Sequence, residues 1–388
     1  MRIVLTHVYC WPYVRRGSER HMDDVARYLH RRGHEVITVS TRPGRGLVED
    51  TDGGRRILHR EWSTPLMERL RLQPAHPFFL SAARSIVALK PDIVHSWSFT
   101  DSLAASLTRT LGGHRTVLQL SGAPIPAGYY RRFPPDRWII REAIRRSDQA
   151  VACSEFVRRL VTHHYGTSPG VMTPPVDLEH FPLGAGPPDG VPTILSVADF
   201  DVPRKGVRVL VRAFARVKRN VPAARLVLSG RLSPGVLDSA LSGLPAHVVS
   251  DIRVLGLGRP ADVPRLYRDA SVMALPSMWE PAGLVMLEAW AAGTPVVATN
   301  HGGPPEFMAA GVGTLFDPGT DGEETQNDEG LAAAILEGLA LSERAGTRER
   351  CRAHAARFSW EVLGPRVEDL YRSLRPDWPA PAVTEPRP

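Results

Sequence analysis

The segment Ser277-Met278-Trp279-Glu280-Pro281-Ala282-Gly283-Leu284-Val285-Met286-Leu287-Glu288-Ala289 is the most informative part of this 388-residue chain. It reads as the end of a strand, a glycine-containing loop and the start of a helix. Glu280 lies on the predicted loop and Glu288 one turn inside the helix, with seven residues between them. A helix start offers backbone N–H groups to a phosphate, and the two carboxylates can accept hydroxyl groups. Both properties together suit a nucleotide-sugar ligand.

The length and composition indicate a globular protein with two or three domains. Hydrophobic residues make up 43% and charged residues 23% of the sequence, which argues against extensive disorder. No apolar run reaches the roughly 18 residues that a membrane-spanning helix requires. The segment Met1–His7 has too short an apolar stretch for a secretory signal and reads instead as a first strand.

The net charge of +7 and the pI near 9.6 would fit nucleic acid, anionic lipid or a polyanionic substrate. However, Lys90, Lys205 and Lys218 are the only lysines, so the other 45 of the 48 basic residues are arginine. Such a bias is expected from a GC-rich bacterial genome, and we therefore predict no nucleic-acid partner from the charge.

The cysteine pattern favours a reducing compartment. Cys10, Cys153 and Cys351 are odd in number and form no CxxC motif. This argues against a disulfide framework or a zinc site and predicts a cytoplasmic location.

Strand and helix patterns alternate in both halves of the chain, which predicts two α/β domains with parallel sheets and helices on both faces. We expect two Rossmann-like, doubly wound domains facing a central cleft, with ligands beyond the carboxyl ends of the strands. The predicted strands lie at 3–6, 35–40, 91–95, 115–120, 150–153, 193–197, 225–229, 252–255, 271–274 and 295–299. The predicted helices lie at 18–32, 101–111, 138–147, 207–220, 262–269, 284–292 and 360–374, with a further helix capped by Ser154.

Composition sets the predicted domain boundaries. A Pro- and Gly-rich interval marks a linker at 183–190, between an N-terminal domain at 1–182 and a C-terminal domain at 191–359. A final helix at 360–375 follows. The tail at 376–388 contains five prolines and is predicted to be disordered. The stretch 319–329 reads as an acidic, polar loop.

The segment Pro203-Arg204-Lys205-Gly206 is a candidate phosphate site. A lysine ammonium next to the positive end of a helix can bind an anion. The motif GxxxxGK[ST] is missing, so this is not a P-loop. The alternative is a solvated basic loop.

Glu288 shares a helix face with Leu284 and could accept two ribose hydroxyls. Glu280 could contact the hydroxyls of a bound sugar, and its alternative role is to cap the helix. A glycosidase pair is a poor fit, because such carboxylates face each other across a bond at about 5–10 Å, usually from different elements.

Two further loops contain paired glycines. Asn300–Glu306 forms a strand-to-helix turn that is either structural or part of the same site. Gly256–Ala261 fits GxGxxA, but Pro260 and Asp262 indicate a turn and a helix start rather than a dinucleotide fingerprint. Here the glycines around Leu257 would let backbone approach a flat ligand such as a base.

Taken together, these residues resemble the family 4 glycosyltransferases of GT-B architecture. The similarity covers most of the chain. Its specific signal is the spacing of two glutamates with seven residues between them, combined with Gly283 and the following Ala-Gly-Thr-Pro. The segments that carry the resemblance are Gly17–His21, Arg32–Val36, Pro91–His95, Val176–Phe181, Arg204–Gly206, Pro276–Glu288, Gly293–Val297 and Gly302–Glu306.

The resemblance implies a role for each matching residue. The catalytic residues would be Lys205, which neutralises the leaving diphosphate, and Glu280, which holds donor-sugar hydroxyls, while Glu288 takes the ribose. The other implied donor-binding residues are Gly17, Arg16, Asp199, Arg204, Gly230, Leu257, Ala282, Gly283 and Leu284. The implied acceptor-side residues are His95, Trp97, Ser121 and Tyr129.

The resemblance also implies transfer with retention of anomeric configuration, by front-face displacement without a dedicated protein base. The co-substrate would be a UDP-, GDP- or ADP-linked sugar, and no metal or other cofactor is expected. The acceptor would be a hydroxylated natural product, lipid or glycan. The final helix would cross back onto the N-terminal domain.

The chain departs from the family pattern at Asp199, six positions before Lys205, where an arginine is usual. Two unit charges about 5 Å apart interact by roughly 3 kcal/mol at an effective dielectric near 20, so the change of sign matters. Asp199 could pair with Arg204 or Arg231, bind a divalent cation, or mark an altered donor site. The last alternative includes a nucleotide-sugar-binding protein without turnover, and a nucleotide-sugar epimerase is a further one.

Smaller departures lie in the N-terminal half. Arg16 replaces a usual glycine and could reach the phosphates, and Ser121 replaces a usual histidine. The segments Tyr129–Phe133 and Arg137–Arg141 combine arginines with aromatic residues. Some family members dock on anionic membranes through such a segment, whereas the alternative is an ordinary surface helix.

Overall fold

The computed structural model describes residues 1–378, apart from 63, 65, 66, 68, 71, 123–134 and 320–326. The chain forms two compact units. Unit 1 comprises Met1–Met172 and the chain from Gly364 onward, and unit 2 comprises Thr173–Leu363. Within the described ranges, none of the helices combines the length and the apolar character needed to span a bilayer.

Unit 1 is built on an eight-stranded sheet in the order β3-β4-β2-β1-β5-β6-β7-β8. All neighbouring strands are parallel except β3 and β4, which form an antiparallel hairpin. The strands are β1 (Arg2–Thr6), β2 (Glu35–Arg42), β3 (Leu47–Thr51), β4 (Gly54–Arg60), β5 (Ile93–Ser96), β6 (Arg115–Leu120), β7 (Gln149–Ala152) and β8 (Gly170–Val171). The helices are α1 (Gly17–Arg31), α2 (Ala75–Leu89), α3 (Phe99–Gly112), α4 (Asp136–Arg146) and α5 (Glu155–Tyr165).

Unit 1 encloses its core between the sheet and its helices. Val4 and Val94 on the central strands pack against Phe78, Ile86 and Ala104 from α2 and α3. Full burial of each large side chain contributes roughly 1.5–3 kcal/mol. The last helix, α14 (Trp360–Leu374), begins in unit 2 and ends in unit 1.

Unit 2 has a six-stranded, fully parallel sheet in the order β11-β10-β9-β12-β13-β14. The strands are β9 (Thr193–Val197), β10 (Arg225–Ser229), β11 (Ile252–Gly256), β12 (Val272–Leu275), β13 (Val296–Thr299) and β14 (Gly313–Phe316). The helices are α6 (Val207–Asn220), α7 (Pro234–Leu241), α8 (Ala246–Val249), α9 (Val263–Arg268), α10 (Leu284–Ala291), α11 (Pro304–Phe307), α12 (Asp328–Ser342) and α13 (Thr347–Ala356).

The predicted α/β class with two parallel sheets is confirmed, and the structure adds elements that the sequence patterns missed. The β3–β4 hairpin is mostly half-buried or exposed and carries charged residues such as Glu49 and Arg56, so it lacks a long apolar run. The predicted loop at 319–329 was wrong at its end, because α12 begins at Asp328. The Asn327 side chain accepts the Gly330 N–H at 2.8 Å and caps that helix.

Candidate functional site

Three loops meet at the carboxyl edge of the unit 2 sheet. They follow β9, β12 and β13, which are adjacent and parallel, so their carboxyl ends point the same way. Backbone hydrogen bonds join the loops: the Met278 N–H donates to the Arg204 carbonyl at 2.8 Å, and the Gly303 N–H donates to the Glu280 carbonyl at 2.8 Å. The predicted phosphate loop, the glutamate loop and the paired-glycine loop therefore form one assembly.

Glycine is required where these loops touch. Gly206 has φ +71°, and a Cβ there would lie 2.3 Å from the Pro276 carbonyl oxygen. A Cβ at Gly303 would lie 2.3 Å from the Pro281 carbonyl oxygen. The predicted donor residue Gly230 likewise has φ +137° and would place a Cβ 1.8 Å from the Ala198 carbonyl oxygen. Close backbone packing thus accounts for this glycine without a ligand.

A buried carboxylate forms the centre of the assembly. Glu280 is 5% exposed, and its Oε1 accepts hydrogen bonds from Lys205 Nζ and, at 2.6 Å, from Ser277 Oγ. Arg204 Nη1 lies 3.4 Å from the same oxygen. The two predicted catalytic residues, Lys205 and Glu280, are thus in direct contact although they are 75 positions apart.

The charges around Glu280 keep it ionised. Burial alone would raise its pKa, but the neighbouring Lys205 and Arg204 charges and the hydrogen bonds from Lys205 and Ser277 hold the pKa below its ordinary value. The carboxylate is therefore a counter-ion for Lys205. A ligand that uses the Lys205 ammonium must compete with Glu280.

Arg204 is also committed within the assembly. Its Nη1 donates a hydrogen bond to the Trp279 carbonyl at 2.8 Å, and its guanidinium lies 4.5 Å from the centre of the Trp279 ring. Cation–π contacts of this kind contribute roughly 0.5–2 kcal/mol. Arg204, on the loop after β9, therefore stabilises the position of the glutamate loop.

The candidate partners of Asp199 were Arg204 and Arg231. Asp199 forms an ion pair with Arg231, whose Nη1 lies 4.0 Å from Asp199 Oδ2. The other carboxylate oxygen, Oδ1, is buried and has no hydrogen-bond partner among the described residues. Across the part of the chain that the structure describes, no three His, Cys, Asp or Glu side chains converge as metal ligands.

The second glutamate lies on the first turns of α10. Tyr267 donates a hydrogen bond from its hydroxyl to Glu288 Oε2 at 2.7 Å. Gly283, with φ +84°, occupies the cap position of α10, between Ala282 and Leu284. In the described part of the chain, the start of α10 has no hydrogen bond from a side-chain cap, so the alternative role of Glu280 as the helix cap finds no support.

The predicted base loop follows β11 at the same edge of the sheet. Gly256 and Gly258 both have positive φ, at +63° and +48°, and flank the exposed Leu257. The Gly256 carbonyl accepts a hydrogen bond from the Gly230 N–H at 2.8 Å, so this loop is joined to the end of β10.

In unit 1, Gly17 opens α1 and the adjacent Arg16 is already paired. Arg16 donates to Glu19 Oε1 from Nη2 at 2.7 Å and from Nε at 3.1 Å, and its guanidinium lies 4.9 Å from the Tyr9 ring centre. Glu19 is fully buried and was not predicted. Its acidic position in the first helical turn is the local signal that could have found it.

Two of the predicted acceptor-side residues, His95 and Trp97, belong to a row of buried aromatic side chains. His95 is fully buried, its Nδ1 lies 2.7 Å from the Tyr371 hydroxyl, and its ring stacks 4.1 Å from the Trp97 ring. Trp97 Nε1 in turn donates to His21 Nδ1 at 3.3 Å. His95 can therefore influence an acceptor only through its neighbours, and its acceptor role stays a prediction.

The other two predicted acceptor-side residues, Ser121 and Tyr129, have no described contact with these aromatic side chains. Ser121 follows β6, and its buried Oγ has no hydrogen-bond partner among the described residues. Tyr129 and the rest of Tyr129–Phe133 lie outside the described residues. In Arg137–Arg141, Trp138 is 58% exposed on α4.

Comparison with known proteins agrees with this geometry. Residues 15–180 match the family model described as Glycosyltransferase Family 4, and residues 191–340 match the one described as Glycosyl transferases group 1. The D-inositol 3-phosphate glycosyltransferase of Saccharomonospora viridis is 31% identical over 72% of this chain and 70% of its own length. That of Corynebacterium urealyticum is 28% identical over 91% of this chain and 89% of its own length.

Solved structures show the same fold. Sucrose-phosphate synthase from Thermosynechococcus elongatus aligns with a TM-score of 0.77 at 20% identity, over 97% of this chain and 100% of that chain. Anabaena HepE in complex with UDP-glucose aligns with a TM-score of 0.72 at 18% identity, over 96% and 100%. Together with the family models, this fold defines a glycosyltransferase of GT-B architecture. More narrowly, the chain belongs to the family 4 glycosyltransferases.

Proposed function

We propose that this glycosyltransferase moves a sugar from a nucleotide-sugar to a hydroxylated acceptor, with retention of anomeric configuration, and that unit 2 binds the donor. The observation that carries the proposal is the contact of Lys205 and Ser277 with the buried carboxylate of Glu280 at the carboxyl edge of the sheet. A cation and an ionised acceptor side by side match the two ends of a sugar diphosphate.

In this proposal, the Lys205 ammonium turns from Glu280 to the departing diphosphate and stabilises its growing charge. Fixed groups that stabilise developing charge in a water-poor site commonly contribute more to enzymatic rate enhancement than any other single effect. Glu280, relieved of one partner, accepts donor-sugar hydroxyls, and Glu288, oriented by Tyr267, accepts ribose hydroxyls. The acceptor proton passes to a donor phosphate oxygen, so no protein base is needed.

The donor and acceptor classes can be narrowed for testing. The HepE structure contains UDP-glucose, which supports UDP-glucose as the first donor to try, followed by GDP- and ADP-sugars. The relatives named for inositol 3-phosphate support a hydroxylated acceptor that carries a phosphate. No metal or other cofactor is required in this proposal.

We also propose that the protein works in the cytoplasm. Its three cysteines are buried and form no disulfide, and burial raises the pKa of Cys10 to about 11 and that of Cys351 to about 12, which suits unreactive thiols in a reducing compartment. Trp138 and the exposed arginines of α4 support peripheral contact with the inner face of an anionic membrane as a secondary property.

The decisive experiment is a donor panel with turnover and binding measured in parallel. Wild-type protein, Lys205→Ala and the control Arg212→Ala, which removes an exposed cation from α6, are incubated with UDP-, GDP- and ADP-sugars. We expect Lys205→Ala to lose roughly 10²–10³ in turnover, as for other lost transition-state contacts, and the control to keep full activity. Full activity in Lys205→Ala would refute the assignment.

Two arms of the same panel address the alternatives. Donor binding without turnover on any acceptor would identify a binding protein. Conversion of the donor sugar in the absence of acceptor would identify an epimerase.

A further inference from the structure

Arg231 has fewer and weaker contacts than Lys205 and Arg204, the other two cations considered at the carboxyl edge of the unit 2 sheet. Lys205 is bonded to Glu280, and Arg204 is held by the Trp279 carbonyl and ring. Within the described ranges, the only ion pair of the Arg231 side chain is the one at 4.0 Å to Asp199, and that side chain is 61% exposed. An exposed pair of this length contributes only about 0–1 kcal/mol, so the guanidinium is free to take a second anion.

The backbone fixes Arg231 beside the loop that leads to Lys205. The Phe200 N–H donates to the Arg231 carbonyl at 2.8 Å, and the Ala198 N–H donates to the Ser229 carbonyl at 3.1 Å. Gly230 permits this approach because it has no Cβ to collide with Ala198. The turn after β10 therefore lies directly against the turn after β9.

We propose that Arg231 binds the diphosphate of the donor and that Asp199 is its positioning residue. This inference rests on the proposed donor site in unit 2. The planar guanidinium has five N–H donors in a fixed fork, so one edge can face Asp199 while the other contacts a phosphate. The cation missing at position 199 is thus supplied from the neighbouring strand.

The unused oxygen of Asp199 agrees with this role. Its Oδ1 is buried and lacks a partner among the described residues, whereas the large majority of buried side-chain polar atoms have one. A guanidinium drawn inward by phosphate can contact both carboxylate oxygens. Asp201 also faces Arg231 and contributes a second negative charge, but its Oδ1 already accepts the Ser233 N–H at 2.7 Å.

Whether Asp199→Asn weakens or tightens diphosphate binding distinguishes an aspartate that positions Arg231 from one that only repels the phosphates. An aspartate that only repels phosphate would weaken binding, so Asp199→Asn would then tighten it. If Asp199 instead holds Arg231 in place, Asp199→Asn should weaken diphosphate binding. This loss should occur only in protein that retains Arg231. The double variant Asp199→Asn/Arg231→Ala therefore shows whether the two residues act together.

The test is calorimetric titration of UDP, GDP and ADP, with uridine, guanosine and adenosine as matched ligands that lack phosphate. We expect Arg231→Ala to weaken diphosphate binding about 10- to 100-fold, as for hydrogen bonds to a charged group, without changing nucleoside binding. Arg231→Lys should recover part of the loss, and the control Arg212→Ala should bind as wild type. Asp199→Asn should weaken diphosphate binding about 3- to 10-fold in the wild-type background and should not weaken it in Arg231→Ala.

Each failure has a distinct meaning. Unchanged diphosphate affinity in Arg231→Ala overturns the role of Arg231 alone, and unchanged or tighter binding by Asp199→Asn overturns the positioning role of Asp199. If wild-type protein binds none of the three diphosphates, the proposed donor site itself is wrong and this inference falls with it. Thermal unfolding of every variant confirms that the fold is retained.

Discussion

The hydroxyl of Tyr267 donates a 2.7 Å hydrogen bond to Glu288 Oε2, and Tyr267 itself is fully buried. This contact connects α9 to the first turns of α10 and fixes the orientation of the carboxylate assigned to the ribose. A buried tyrosine that satisfies its hydroxyl on a single carboxylate limits the rotamers which that carboxylate can adopt.

Tyr267→Phe should therefore weaken nucleotide binding without unfolding the protein. Loss of one hydrogen bond to a charged group predicts an affinity loss of about 10-fold or more. The measurement is titration of the diphosphate that the wild type binds, and Tyr13→Phe, at an exposed position, is the control. If Tyr267→Phe binds the diphosphate as tightly as Tyr13→Phe does, the orientation of Glu288 by Tyr267 is not needed for ribose binding.

Glu280→Gln should reduce turnover by roughly 10²–10³. It should also change how the free energy of unfolding depends on pH below neutrality. The folded pKa of Glu280 is depressed, so its contribution to the free energy of unfolding is present above the unfolded pKa of about 4.3 and is lost as pH falls through the folded value. Tm measured from pH 7 to pH 3 should fall less steeply in Glu280→Gln than in the wild type. Parallel curves would contradict the buried charge pair.

Asp101→Asn should stabilise unit 1 most at alkaline pH. Burial raises the pKa of Asp101 to about 7, although the Thr6 hydroxyl donates to its Oδ2 at 2.5 Å. A raised folded pKa means that stability decreases as pH rises from the unfolded value through about 7. We expect the Tm gain of Asp101→Asn to be larger at pH 8 than at pH 5. A gain that does not depend on pH would show that Asp101 stays in one ionisation state.

Gly303→Ala should lower both stability and activity, because its Cβ would meet the Pro281 carbonyl oxygen at 2.3 Å and push the glutamate loop away. Gly235→Ala is the matched control. Gly235 lies in α7 with no atom near its added Cβ, so alanine there should be neutral or stabilise by up to about 1 kcal/mol. Thermal unfolding and turnover of the two variants distinguish loop spacing from a general effect of replacing glycine.

The sequence predicted those parts of the fold whose signal is local. Fully buried strands such as Val272–Leu275 are continuous apolar runs, and the final helix was predicted at its observed bounds, Trp360–Leu374. The β3–β4 hairpin was missed because its charged residues resemble a loop. Both glutamates were singled out from their spacing, and the roles that the resemblance implies for them stay predictions.

The contacts that give these residues their chemistry could not be seen in this way. Lys205 meets Glu280 across 75 positions, and the chain from His21 through Trp97 and His95 to Tyr371 joins three distant segments. No periodic pattern encodes such meetings, because they depend on strand order and on loops that pack only where glycine leaves space.

The pairing of Lys205 with Glu280 keeps the ammonium of the proposed donor site engaged within the protein before donor binds. A spent nucleoside diphosphate that recruits the ammonium removes the lysine partner of the buried carboxylate, which keeps Ser277 and Arg204, and offers no sugar hydroxyl in exchange. An intact sugar nucleotide satisfies both groups at once. On the proposed assignment, the same contact therefore favours loading of fresh donor over retention of product, and it links release of the used nucleotide to re-formation of an internal ion pair.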